Sequence, residues 1–415
     1  TLVLYSVAVL TTMAGMEMFG WLSATIVLVC LIADKISGKK SESIWFVGDW
    51  GWIGLFGVIA IGAVLVAPPP PLGWGADYII GSARFVFLFL LLRLGLLWTW
   101  NEEGIKKVMT ALIVISVFIA IYSVIQYYTG LDLIRSGKRA VSKWGQRADG
   151  SFYWRASGMF DHPLRYSYSV GMALCFPLAF ALVAWAKPRA RLLMAIATII
   201  LAAGLFATLA RGAWAAVFGS ICVMVLYAHW KRAVLALAVV AVLVGTIFVA
   251  NPELVDRVKT VTDSTNESNS SRWVLWRANW EMFLDHPVLG VGYGQNEAII
   301  EEYYDKLSIP QTTFKGHAHN NYMQFLSGTG LPGLALYLFV IGFYLVLAHR
   351  TLRNARDKET WTYAFVLGAL GAQIVLHLGG MTETTFKNAQ INHLYMLVLA
   401  GLGVVVAKSR DHQAS

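Results

Sequence analysis

A chain of 415 residues that is 57% hydrophobic, with 16 Trp and only 14% charged side chains, lies outside the usual make-up of soluble globular domains. Its mean hydropathy of +0.59 says the same. The net charge of +9 does not mark a nucleic-acid binder, because the cations are scattered between apolar runs instead of gathered in one basic block. The fold class is therefore an all-α polytopic membrane protein.

A helical span needs roughly 20 apolar residues, and in lipid the backbone must satisfy its own hydrogen bonds. About twelve such runs follow one another, centred on residues 2–18, 20–33, 46–67, 79–100, 106–128, 164–186, 190–209, 211–228, 233–250, 330–348, 361–380 and 390–407. The first run is expected to act as the targeting signal, and nothing reads as a cleavable signal peptide. Cys30, Cys175 and Cys222 all fall inside apolar runs and read as packed thiols, with no disulfide or metal role. Lys and Arg of the short loops, among them Lys39, Lys40, Lys106, Lys107, Lys231, Arg232, Arg350 and Arg353, put both termini and the even-numbered loops on the cytoplasmic side. Arg93 and His377 lie within spans and read as structural.

The first break in that pattern is a loop at 130–163 on the opposite, trans side. Its charged stretch, 132–165, carries Arg135, Lys138, Arg139, Lys143, Arg147, Arg155 and Arg165 against Asp132, Asp149 and Asp161. Cations there oppose the topology bias, so they are expected to hold a negatively charged ligand, with Arg147 and Arg155 as the binding pair. The plainer alternative is a basic loop touching lipid phosphates.

Arg211, in "LARGAW", sits between two apolar runs with hardly a loop around it. A guanidinium near membrane depth is costly and points to function or to a buried partner. The long trans segment 251–329 follows the next span. In it Trp273, Trp276, Trp280 and Phe283 recur at helical spacing, a stripe expected to lie at the membrane interface, with Ser270 or Ser271 as N-cap and Arg272 on the first turn. Arg272 and Arg277 are within reach of a trans-side pocket. "GVGYG" has no strand before it and reads as a turn, not a dinucleotide loop.

"KGHAHNNY" then sets His317, His319, Asn320 and Asn321 at the lip of a span. Imidazole is the side chain that exchanges a proton near neutral pH. His319 is a candidate general base, and Asn320 and Asn321 supply amides for a sugar hydroxyl or for orienting the ring. A polar cap on a helix starting near Asn320 is the alternative. The two histidines as a zinc pair lack a third ligand at fitting spacing, so no metal site is expected. With no D-x-D pair, P-loop or acidic cluster, no nucleotide grip or cofactor is expected either. Arginines beside one base suit transfer from a diphosphate-activated donor.

Three motifs in order, "LARGAW", "SSRWVLWRANWEMFLDHPVLGVGYG", and His319-Asn320 followed by nine residues and Gly330-x-x-Gly333, resemble the O-antigen ligase and polymerase superfamily, and within it the lipopolysaccharide O-antigen ligases. The ligase pattern often continues with threonines, whereas Leu334 and Ala335 stand here. The resemblance implies a GT-C-like glycosyltransferase forming a single membrane domain, 1–415, in the inner membrane of a Gram-negative bacterium. Its basic loop at 130–163 and its long loop at 251–329 would be periplasmic, the latter with catalytic residues. The partners implied are undecaprenyl-diphosphate-linked O-antigen, lipid A-core oligosaccharide and the surrounding lipids. His319 would be the base, Arg211 and Arg272 the diphosphate binders. The competing readings are a Wzy-type polymerase, a protein O-oligosaccharyltransferase and, from another class, a secondary transporter.

Overall fold

The apolar runs become helices because only a helix closes its hydrogen bonds within one segment. The computed structural model describes residues 2–37, 45–66, 83–98, 102–134, 142–146, 150, 152–228 and 267–414, with isolated residues between 231 and 249. In chain order these form α1 (Leu2–Thr11), α2 (Met13–Ile36), α3 (Val47–Leu65), α4 (Phe85–Trp98) and α5 (Glu102–Thr129). A hairpin of β1 (Ser142–Gln146) and β2 (Phe152–Arg155) comes next. Then follow α6 (Pro163–Leu182), α7 (Pro188–Phe206), α8 (Arg211–Val225), α9 (Glu267–Asp285), α10 (Ile300–Lys306), α11 (Asn321–Asn354), α12 (Trp361–Gly379) and α13 (Ala389–Ala414).

Among the described residues six helices, α3, α5, α7, α11, α12 and α13, are long and apolar enough to cross a membrane, and α1, α4 and α8 are shorter apolar helices. The first two expected runs are α1 and α2, and the run at 164–186 is α6. The run at 233–250 falls largely outside the described residues. The chain is an all-α multi-pass membrane protein.

Of the six long helices α12 and α13 are the most enclosed and α7 the least. α6 lies between α7 and α12, α4 runs along α13, and α3 along α11. Arg93 is a structural charge, as expected. It is buried 3.8 Å from Asp49 Oδ1 and over the Phe46 ring, while Asp49 also accepts from Tyr344 Oη at 2.5 Å and from the Phe46 N–H at 2.8 Å. The ion pair and the hydrogen bonds to Asp49 tie α3, α4 and α11 together. His377 is structural too, with Nε2 2.8 Å from the Tyr395 hydroxyl.

Contacts from Arg155 to Thr208 and from His319 to Glu383, with Arg155 in electrostatic reach of Glu383, bring the hairpin, the turn before α8, the segment before α11 and the α12–α13 loop together at one end of the bundle. At that end α9 and α10 build a small second core from Leu275, Ala278, Met282, Ile300 and Tyr304. The expected aromatic stripe of α9 is divided by this packing. Trp273 and Trp280 are exposed, but Trp276 is turned inward and donates from its indole to the Ala318 carbonyl at 2.8 Å. Ser270 and Ser271 lie inside α9, which begins at Glu267, so neither is its cap, and Arg272 sits on the second turn.

One glycine from each of "GVGYG" and "GLPG", Gly290 and Gly330, serves a joint contact. α11 breaks at Gly330, where φ is +66°, and the Pro287–Val291 turn docks backbone to backbone into the break. Leu331 donates to the Pro287 carbonyl and Val291 to that of Ser327, both at 2.9 Å. A Cβ at Gly330 would overlap the Val288 carbonyl, and one at Gly290 the backbone of 327–329. Asn279, Asn296, Gln324 and Ser327 then close a buried polar network between α9 and α11.

Candidate active site

The segment 315–321 is held from both sides before α11 begins. Gln324 accepts the Ala318 N–H at 3.1 Å, and Asn320 is the N-cap of α11, its Oδ1 accepting from Tyr322 and Met323. Asn320 Nδ2 also donates to the Met381 carbonyl. Asn321 is fully buried, donates to Thr385 Oγ1 at 2.7 Å and accepts the Phe386 N–H at 3.2 Å. Both amides, expected to meet a sugar, are engaged with the α12–α13 loop. The helix-cap alternative is the one realised.

That loop brings in a residue the sequence reading passed over. Glu383, in "MTETTF", is 3% exposed, and its Oε2 lies 3.0 Å from His319 Nδ1. Its Oε1 accepts the Thr384 N–H and lies 3.6 Å from His317 Nε2. The available signal was an acidic residue in a short polar loop flanked by two spans, on the side where the histidines emerge. Burial raises the Glu383 carboxyl, but the hydrogen bond from His319 and the charges around it, Arg272 included, prevail and hold it below its ordinary value. It is ionised at neutral pH.

An ionised carboxylate only accepts hydrogen bonds, so His319 donates from Nδ1, and Nε2 is the ring nitrogen that faces away from Glu383. His317 is arranged the other way. Its Nδ1 accepts the His319 N–H at 3.3 Å, which leaves its proton on Nε2. Burial, above all, lowers the His317 imidazole to about 4, so it is neutral at pH 7. Its evident work is to brace the His319 backbone. His319 has φ +46°, a left-handed conformation costing an ordinary residue roughly 1–2 kcal/mol.

The arginines arrive from three elements. α7 ends in a turn whose Leu209 is also left-handed, at φ +54°, and this turn presents Arg211 as the first residue of α8. β2 is stitched to the turn, with Arg155 Nε donating to the Thr208 carbonyl at 3.1 Å and Ala156 N–H to that of Ala207 at 2.9 Å. Burial and then the charge of Arg211 lower the Arg155 guanidinium from its ordinary value, with Glu383 opposing. Arg272, from α9, lies within electrostatic reach of both Arg211 and Glu383. Arg155, Arg211, Arg272, His317, His319 and Glu383 thus form one constellation.

One expected site residue, Arg277, is not brought in. Arg277 is exposed, five positions along α9 from Arg272 and therefore on another face. Arg147 lies outside the described residues, as do Arg135, Lys138 and Arg139. Arg165 pairs locally with Asp161 at 2.5 Å.

The third ligand missing from the sequence is supplied by Glu383, which corrects that expectation. Donor atoms of His317, His319 and Glu383 lie within 4.8 Å of one another, close enough for a metal ion. Two features disfavour one: His319 and Glu383 already share a direct hydrogen bond, and the arginines repel a cation. Arginines grouped beside a histidine whose Nδ1 is held by a carboxylate instead suit an anionic, phosphate-bearing substrate and removal of a proton from its co-substrate.

No curated protein matches the chain at a significant level. Residues 196–338, the stretch that contains Arg211, Arg272, His317 and His319 but stops before Glu383, match the family model described as O-antigen ligase, consistent with a member of the O-antigen ligase/polymerase superfamily.

Proposed function

We propose that this protein is a lipopolysaccharide O-antigen ligase. It moves a polysaccharide from undecaprenyl diphosphate to a sugar hydroxyl of the lipid A core, at the periplasmic face of the inner membrane. The family implies a glycosyltransferase-like enzyme working on lipid-linked polysaccharide. The observation that supports this reading is the gathering of Arg155, Arg211 and Arg272 around the His319–Glu383 pair at one end of a membrane bundle. Both substrates are lipids, and the bond to be broken lies at headgroup height.

In the step proposed, the acceptor hydroxyl attacks the anomeric carbon, the bond from that carbon to the diphosphate oxygen breaks, and undecaprenyl diphosphate leaves. Arg211 and Arg272 take up its negative charge through paired N–H donors. His319 Nε2 takes the proton from the attacking hydroxyl. Neither metal nor nucleotide has a part.

The test is a deletion strain. A ligase deletion leaves polymerised O-antigen on undecaprenyl diphosphate and a bare lipid A core, restored by the wild-type chain and not by His319→Ala. A strain that lacks polymer altogether and still caps its core with single repeats assigns the chain to a polymerase. In purified enzyme, His319→Ala is expected to lose about 10²–10⁴ in rate.

A further inference from the structure

We infer that Glu383 is a positioning residue, whose carboxylate holds His319 in the one tautomer and orientation that make Nε2 the base. This rests on the proposed role of His319 and goes beyond it, since Glu383 lies outside the matched segment 196–338.

Four observations converge. Glu383 is one of few carboxylates buried in the described residues, and a buried charge persists only with a purpose or a partner. It contacts His319 Nδ1 at 3.0 Å, so the proton must stay on that nitrogen. The loop carrying it is anchored to the start of α11 by further bonds, among them those from Asn320 to Met381, from Asn321 to Thr385, and from Asn321 N–H to the Gly380 carbonyl at 2.7 Å. The left-handed backbone at His319, braced by His317 Nδ1, turns the imidazole toward that loop. The strain and the anchors serve one contact.

The chemistry explains why a carboxylate is suited to this place. An unsupported imidazole divides its proton between two nitrogens and rotates, so the reactive nitrogen is wrongly presented part of the time. A carboxylate on Nδ1 removes both freedoms and stabilises the imidazolium formed when Nε2 accepts the proton. The charged and titratable groups facing the pair are His317 and Lys387 on the adjoining segments, Arg272 on α9, Arg155 on β2, His162 at the N-cap of α6, Tyr168 on α6 and Glu297 before α10. The cations among them, Arg272 and Arg155 foremost, offset the charge of Glu383.

The test compares Glu383→Gln, Glu383→Asp, His319→Ala and the double variant Glu383→Gln/His319→Ala as full-length purified protein with lipid-linked donor and lipid A-core acceptor. Gln keeps the size and one acceptor oxygen. The expectation is a loss of roughly 10²-fold in kcat with the donor KM unchanged, a smaller loss in Glu383→Asp, and no further loss when Glu383→Gln is added to His319→Ala. In nitrogen-15 spectra of histidine-labelled protein, the His319 signals, identified by their absence from His319→Ala, change from a single Nδ1–H tautomer to a mixture in Glu383→Gln. Wild-type kcat in Glu383→Gln, an equal loss in both backgrounds, or unchanged tautomer signals would overturn the assignment. An inactive His319→Ala beside a fully active Glu383→Gln removes only the role of Glu383. A fully active His319→Ala removes the base itself.

Discussion

Arg155 Nε donates to the carbonyl of Thr208 across 53 positions of sequence, three residues before Arg211. The basic hairpin is thereby fastened to the turn that presents the arginine of α8. Arg155 acts twice, as a charge and as a clamp, and a lysine in its place supplies only the charge.

The arginines should therefore resist conservative replacement. A charged hydrogen bond to phosphate contributes roughly 1.5–3 kcal/mol, equivalent to about 10- to 150-fold. Arg211→Lys and Arg272→Lys are each expected to lose transfer in that range, because an ammonium lacks the planar fork. Arg155→Lys should lose about as much as Arg155→Ala, mainly as a raised donor KM, and neutralising Arg147 together with Arg155 should weaken donor use further. Steady-state kinetics on purified protein check this. Near-normal turnover in the lysine variants of Arg211 and Arg272 would count against bidentate contact.

The docking of the 287–291 turn into α11 predicts two sensitive glycines. Gly330→Ala and Gly290→Ala each force a Cβ onto neighbouring backbone at φ +66°, costing roughly 1–3 kcal/mol from the backbone conformation alone. Gly342→Ala, on the same helix with nothing within 4 Å of the added Cβ, is the control. Thermal unfolding in detergent should rank the first two well below the wild type and leave the third near it.

Acid should weaken the fold through His317. Its folded value of about 4 lies below the ordinary 6.5. As pH falls below 6.5 the unfolded chain takes up a proton that the folded chain refuses, so stability declines down to about pH 4 and is unaffected above 6.5. The loss should reach about 2 kcal/mol, less than the full linkage value because 26% of the side chain meets solvent. Unfolding curves of the wild type and His317→Gln between pH 7 and pH 4.5 should converge at the upper end and differ in slope below it. Parallel curves would show that His317 does not carry this dependence.

Chelation should leave transfer intact. The His317, His319 and Glu383 donors are close enough to admit an ion, yet arginines surround them and Glu383 bonds directly to His319. Turnover after dialysis against EDTA is expected to equal that of untreated enzyme. If activity vanished and a divalent ion restored it, the arginine and histidine mechanism would fail.

The primary sequence determined the membrane class, most of the helices and the polar pieces of the site, because these are local properties. An apolar run long enough to span must become a helix, and cations on the trans side stand out against the topology bias. Arg211 and His319 stood out as ionisable groups beside an apolar run, and Arg272 as a cation at the start of an aromatic stripe. What the tertiary structure alone decided is how distant loops meet. Glu383 is 64 residues from His319, and nothing in the spacing of either reveals the 3.0 Å contact. The asparagines read either as sugar contacts or as a helix cap, because an amide binds a sugar or a protein group equally well, and only the arrival of the α12–α13 loop shows which protein groups they hold. Arg277 resembled Arg272 in composition and differs in which face of α9 it occupies, which was decided when Leu275, Ala278 and Met282 turned inward against α10. Periodicity shows that a helix has faces. Which face turns inward depends on the partner it packs against.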